Sequence, residues 1–268
     1  VENGQTLYPQ MYGDPKGYKY NGAPSWYHYT PNARTDRWAE IYFWTMDRSV
    51  LANIPLATEY RGRSGQRDGY SEPDRADTFI GYLEGKLPGF PEKVLADDIL
   101  RVRRKMEMMK ADTTTADSRL ADYLLDFNPA TTNALVNLTM GGYFSRGRIW
   151  VLHSRFRYFD PVKRRAGLPE DVGALVEKLG ASSASLQLVN VNPLEAREVV
   201  VQAGGYGEHR FDAVTVDGKT VRVDGPVLTV RLEPASGARL EFQMTRYANK
   251  PTRSEERRVG EECRSRWS

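Results

Sequence analysis

Three carboxylates recur at helical spacing near the start of the chain. If residues 35–49 form a helix, Asp36, Glu40 and Asp47 fall within an arc of about 40° at 100° per residue. Phe43 shares that face, and Trp44, Arg37 and Arg48 flank it. Two carboxylates within reach of one sugar ring can divide the acid and base roles of glycosidic-bond cleavage. One helix face does not set their separation. A solvated acidic face opposite a core face of Trp38, Ile41, Tyr42 and Thr45 accounts for the same pattern. Asp97 and Asp98 read more simply still, as a solvated pair on a longer helix.

Around these carboxylates lies the densest aromatic stretch of the chain. Tyr8, Tyr12, Tyr18, Tyr20, Trp26, Tyr27, Tyr29, Trp38, Tyr42, Phe43 and Trp44 stand between residues 8 and 44. Flat rings with a polar tip can stack on the apolar faces of sugars, which makes Trp26, Tyr27, Tyr29, Trp38 and Trp44 the candidate substrate-binding set. They can equally pin a long irregular segment onto its domain. His28 sits among them and is the best candidate for proton transfer beside Asp36 and Glu40. The other histidines, His153 and His209, read as a strand residue and a loop residue.

Other chemistry is thinly represented. No His-x-x-x-His or His-Glu-x-x-His spacing occurs, so no local zinc motif is expected. A nucleophile elbow, a Walker A loop and a dinucleotide fingerprint are likewise missing from the sequence, and no cofactor is expected. Gly204-Gly205-Tyr206-Gly207 reads as a loop between strands, because no helix follows to cradle phosphate. Arg155, Arg157, Lys163, Arg164 and Arg165 could gather near one strand and hold an anion, although surface charge is the default reading. Arg101, Arg103, Arg104 and Lys105 read as a solvated helix face. The net charge of +3 does not point to nucleic acid.

Length and composition frame these candidates. The chain has 268 residues, 40% hydrophobic and 27% charged, as expected for a globular protein of one or two domains. No run approaches the roughly 18 apolar residues of a membrane span.

The pattern then divides in two. Residues 1–33 read as a wrapped loop with a short strand at Trp26–Thr30. Helices are expected at Thr35–Ser49, Asp77–Lys86 and Pro91–Lys110, and from Asn128 and Pro129 to Gly141 and Gly142. Residues 58–75 read as a polar loop or lid. On the longest helix Leu95, Ile99, Val102, Met106 and Met109 are spaced 4-3-4-3, a single stripe expected to face a neighbour. After Gly142 the period shortens. A strand is expected over Ile149–Phe159 and a helix from Pro169 to Leu179. Further strands are expected at Ser185–Val191, Glu198–Gln202, Arg210–Val216, Thr220–Val223, Val227–Leu232 and Arg239–Arg246. Asp217-Gly218 signals a two-residue hairpin turn, and Pro234–Gly237 another turn. The expected fold is α+β: a helical N-terminal half over residues 1–142, then an antiparallel β-sandwich over 143–252 with one inserted helix near 169–179.

The last stretch, Arg253-Ser254-Glu255-Glu256-Arg257 through Trp267-Ser268, resembles the translation of a common DNA sequencing adapter. The codons AGA TCG GAA GAG CGT give Arg253 to Arg257, and one departure is Glu261 where the adapter gives Lys. Residues 253–268 are therefore expected to be a non-native tail. Cys263, the single cysteine, lies within it, so no disulfide or thiolate site is expected elsewhere. Val1 stands without an initiator Met. A reading frame truncated at both ends is the expectation, with a larger helical domain upstream as a missing partner.

A further resemblance rests on Arg157-Tyr158-Phe159-Asp160-Pro161, on Arg164-Arg165-Ala166-Gly167-Leu168-Pro169-Glu170-Asp171-Val172, on Leu188-Val189-Asn190-Val191-Asn192-Pro193 and on Tyr247-Ala248-Asn249. These runs resemble the C-terminal part of large uncharacterised bacterial proteins. The layout of helices followed by a sandwich is also similar to the rear of glycoside hydrolases and polysaccharide lyases built on an (α/α) toroid. That second likeness is one of architecture and carries over no catalytic residue. It implies an extracytoplasmic, secreted or periplasmic protein that acts on or binds a polysaccharide or oligosaccharide. The alternative is a non-catalytic structural or interaction module, which would leave the Leu95–Met109 stripe exposed.

Overall fold

The computed structural model describes residues 5–9, 29–33, 35–52, 76–118, 128–129, 132–143 and 154–249. Trp26, Tyr27, His28, the 58–75 loop, Trp150, Leu152, His153 and the 253–268 tail lie outside the described residues. The chain forms two compact units, 1–77 and 78–268. The change of period near Gly142 falls inside the second.

In the first unit, β1 (Gln5–Pro9) pairs antiparallel with β2 (Tyr29–Ala33). The sequence signals no strand at β1 and places β2 three residues early. Pro9 and Pro31 lack an N–H, and a ribbon of only two strands tolerates them because each strand is an edge. Helix α1 (Thr35–Thr45) follows. It stops short of the expected Ser49 and breaks at Met46, whose φ is +54°. The Thr45 hydroxyl donates to Ile41 O at 2.8 Å and accepts from Asp47 N–H at 3.1 Å, satisfying backbone groups freed by the break. A 3₁₀ turn, Arg48–Ala52, follows.

Helix α2 (Ala76–Leu83) begins at the boundary, and the second unit continues with α3 (Phe90–Ala111) and α4 (Asn133–Met140). Pro91 sits in the first turn of α3, where its missing N–H costs nothing. Helix α4 begins at Asn133, later than the Asn128-Pro129 signal, and Asn128 and Pro129 are not helical. It ends where expected, at Gly141. That residue has φ +64° and donates its N–H to Asn137 O at 3.0 Å. A side chain there would also collide, since a Cβ would lie 2.9 Å from Val176 Cγ1. Phe79, Tyr82, Phe90 and Tyr143 pack as one aromatic cluster, with Tyr82 and Phe90 ring centroids 5.5 Å apart. Tyr82 Oη donates to Val176 O at 3.1 Å and ties this helical layer to the strands.

Nine strands follow: β3 (Phe156–Asp160), β4 (Arg165–Ala166), β5 (Val172–Leu179), β6 (Ser183–Asn190), β7 (Arg197–Ala203), β8 (Arg210–Val216), β9 (Lys219–Gly225), β10 (Val227–Leu232) and β11 (Gly237–Thr245). They form two antiparallel sheets, one of four strands ordered β10-β7-β3-β4 and one of five ordered β5-β6-β11-β8-β9. The protein is thus α+β, with both larger sheets in its C-terminal half. Phe156 of the four-stranded sheet meets Phe211 and Phe242 of the five-stranded one, with centroids 6.0 and 5.2 Å away. Val199, Val201, Leu186, Leu188 and Leu240 bury around them. Each such side chain contributes roughly 1.5–3 kcal/mol of gross burial energy.

The helix expected near 169–179 is a strand. Val172, Val176 and Leu179 are buried, and their spacing imitates a helical stripe. A bulge between Val176 and Lys178 produces that spacing. Before it, Val172, Ala174 and Val176 oppose Asn190, Leu188 and Leu186; after it, Leu179 opposes Ala184. One extra residue moves Leu179 back to the inner face. The Asp217-Gly218 turn is as expected: φ is +48° and +76°, the left-handed pair that a type I′ hairpin requires.

Candidate functional site

Helix α1 does not present the face inferred for it. Its buried residues are Ala39, Tyr42, Phe43 and Met46, whereas Ile41 and Thr45 are exposed. The core face is turned by about 100° from the expected one. Phe43, expected beside the carboxylates, is in the core. Glu40 and Trp38 are half-buried at the margins of that core. Asp47 lies beyond the end of the helix and caps the 3₁₀ turn, its Oδ1 accepting from Ser49 N–H at 2.9 Å. Hydrogen bonds from Ser49 hold its carboxyl below the usual range. The three-carboxylate arc therefore does not form. Asp36 stays on α1 and Tyr29 on β2, with side chains outside the described residues. Trp44 is exposed, at 40%.

The basic residues at 155–165 do not gather into an anion site. Arg155 is buried. Arg157 donates to Gly205 O at 3.2 Å and stacks over Phe159, 5.2 Å from the ring centroid. Lys163 pairs with Glu170 at 2.7 Å, and Arg165 donates to Ala166 O and Leu168 O. The donors of Arg157, Lys163 and Arg165 are directed to separate partners within the unit.

The runs that carried the resemblance build polar scaffolds at strand ends. Buried Asp160 accepts from Val162 and Lys163 N–H through Oδ1. Asp171 Oδ2 accepts from Asn192 at 2.9 Å and Arg197 at 3.0 Å, and these bonds lower its carboxyl from the usual range. Asn190 is fully buried. It donates to Glu195 O and Glu233 O and accepts from Asn192 N–H, joining two loops through one amide.

Tyr247 and Asn249 complete a second scaffold around the Gly204–Gly207 loop. Sequence reasoning places His209 in a loop and misses its role. His209 Nδ1 accepts from Tyr247 N–H at 3.0 Å, and its ring meets the Tyr247 ring edge-on with centroids 4.9 Å apart. Nε2 lies 3.5 Å from Glu208 Oε1. Burial, with Arg155 and Arg246 acting in the same direction, pushes the imidazole pKa down to about 3. His209 is therefore neutral, with its proton on Nε2 facing Glu208. The Glu208 carboxylate folds back over Gly204 and accepts from Tyr206 N–H at 2.8 Å, while burial raises its pKa. Asn249 donates to Gly207 O and His209 O. Only 4% of His209 is exposed, so the imidazole is shut away from substrate, and its contacts with Glu208 and Tyr247 serve as a lock.

What does face solvent is the apolar stripe of α3. The helix buries Phe90, Pro91, Val94 and Asp98, a face turned by about 90° from the stripe. Leu95 and Val102 are half-buried at its margin. Ile99, Met106 and Met109 are 53%, 45% and 50% exposed. The neighbour expected against the stripe is not found among the described residues. The helix ends in two turns, Met106–Ala111, that are exposed at every position.

Among the described residues no group of three or more His, Cys, Asp or Glu side chains could hold a metal ion, and no helix is long and apolar enough to cross a membrane. Comparison with known proteins returns no match among curated proteins or solved structures. Residues 9–136 match the model of a family described as a domain of unknown function, DUF8034, and this stretch runs through β2 and α1 to α3, ending inside α4 before the two larger sheets begin.

Proposed function

We propose that the chain is a non-catalytic interaction module, in which two sheets packed as a β-sandwich support α3 as a docking helix. The observation that carries this reading is the exposure of Ile99, Met106 and Met109 on one line of that helix. Exposed apolar side chains in a row, bordered by charge, are the usual sign of a surface that another chain covers. Methionine suits such a surface because its unbranched, polarizable side chain adapts to the partner. The full chain should enhance the fluorescence of an apolar dye. The double variant Ile99→Glu/Met106→Glu should lose most of that signal while keeping its circular dichroism. Equal dye binding by both proteins would remove the basis of this reading.

One observation favours a second reading, that of a carbohydrate-binding or carbohydrate-active extracytoplasmic protein. Trp44 is exposed one helical turn from Glu40, which puts a stacking surface beside a hydrogen-bond acceptor. On this reading Trp44→Ala and Trp38→Ala each weaken retention on polysaccharide columns by about tenfold. Retention that survives both substitutions would place glycan contact elsewhere.

A further inference from the structure

The stripe of α3 reads nearly the same in both chain directions. Leu95 stands seven residues before Val102 and Met109 seven after it; Ile99 stands three before and Met106 four after. A helix turned end for end about Val102 therefore matches the original, Leu95 against Met109 and Ile99 against Met106. Charges at its two ends decide the direction. Glu92 lies in the first turn and Lys110 in the last, and both fall about 60° to the same side of the stripe's mid-line. Parallel pairing of two copies would gather both Glu92 side chains at one end and both Lys110 side chains at the other, on opposite flanks of the seam. Antiparallel pairing sets each Glu92 on the same flank and within one turn of the other copy's Lys110, which Glu92 would share with Glu107, its exposed partner at 2.7 Å. Arg103 stands near the midpoint, about 80° off the mid-line, where its long stem reaches past the seam to water.

We infer that α3 docks against α3 of a second copy of this chain, antiparallel, with the two-fold axis close to Val102. This rests on the docking reading above and adds the occupant and its direction. The seam is short, so the dimer is weak and concentration-dependent.

Cysteine cross-linking of the full chain tests both the occupant and the direction, in a Cys263→Ser background. Mild oxidation at high protein concentration should link Val102→Cys to itself, at least about fivefold faster than Lys219→Cys on an exposed strand. A mixture of Leu95→Cys and Met109→Cys proteins should yield the mixed dimer in preference to either self-linked product. Glu92→Lys alone should weaken the dimer, and Glu92→Lys with Lys110→Glu should restore it. Preferential self-linking of Leu95→Cys would overturn the antiparallel arrangement. A monomer at every concentration that still binds apolar dye through Ile99 and Met106 would overturn the second copy as occupant and leave the docking reading standing. A monomer that binds no dye would remove both.

Discussion

The backbone N–H of Tyr247 donates to Nδ1 of His209 across 3.0 Å, and this bond fixes which tautomer the buried ring can hold. Nδ1 must be unprotonated to accept it. The ring is therefore neutral when folded, with a pKa of about 3 against an ordinary value near 6.5. Between those values the unfolded chain binds the extra proton and the folded chain does not, so stability rises with pH through that window and falls on acidification. A tenfold difference in proton affinity between the two states corresponds to about 1.4 kcal/mol, which makes the loss from pH 7 to pH 5 about 2 kcal/mol. Glu208 acts with the opposite sign, because its raised pKa favours the protonated folded state. Urea denaturation at both pH values should show the loss in the wild type and a flatter dependence in His209→Gln.

At Gly141, left-handed backbone and close contact with Val176 act together. Gly141→Ala should cost about 2–3 kcal/mol, part from φ +64° and part from the 2.9 Å approach to Val176 Cγ1. The double variant with Val176→Ala separates the two, because it relieves the contact and leaves the backbone strain. Its destabilisation should be smaller than the sum of the single effects, as measured by a double-mutant cycle in urea.

The fully buried Asn190 amide holds the Glu195 and Glu233 carbonyls of two neighbouring loops. Asn190→Ala removes its donors and should destabilise by about 2–4 kcal/mol. Asn190→Asp should be harsher and pH-dependent. A carboxylate there faces the Glu195 and Glu233 carbonyl oxygens, so its pKa rises and its neutral form is favoured. Relative to the wild type, which shares the His209 loss, the variant should become less destabilised as pH falls from 7 to 4. Thermal melts of variant and wild type at the two pH values read the sign from their difference.

The strands are legible in the sequence wherever one face alone is buried. The boundaries of β8 and β10 follow from alternation and from the Asp217-Gly218 turn, both local properties. β5 reads as a helix because its bulge converts a period of two into helical spacing, and only pairing with β6 reveals the difference. The face of α1 is misassigned because aromatic residues occupy its whole circumference, so hydrophobicity does not select a side. Candidate chemistry is legible as residue types, and its placement is not. Asp47 is consumed as a cap by Ser49, two residues away, while Arg197 reaches Asp171 across 26 residues of chain. Long-range polar pairs leave no period in a sequence. The exposed stripe is legible as a pattern, but its exposure depends on which other face of α3 the rest of the unit covers.

Methionine oxidation tests the central claim most directly, because Met106, Met108 and Met109 are exposed and Met244 is 2% exposed in the same unit. Dilute peroxide converts accessible thioethers to sulfoxides at rates that follow exposure. In dilute protein the three helix methionines should oxidise together, well ahead of Met244. At high concentration Met106 and Met109 should become protected, while Met108, about 140–160° round the helix from Met106 and the stripe, should keep its dilute rate. Met106 and Met109 as slow as Met244 in dilute protein would mean that the stripe is covered within a single chain, and the docking surface would be contradicted.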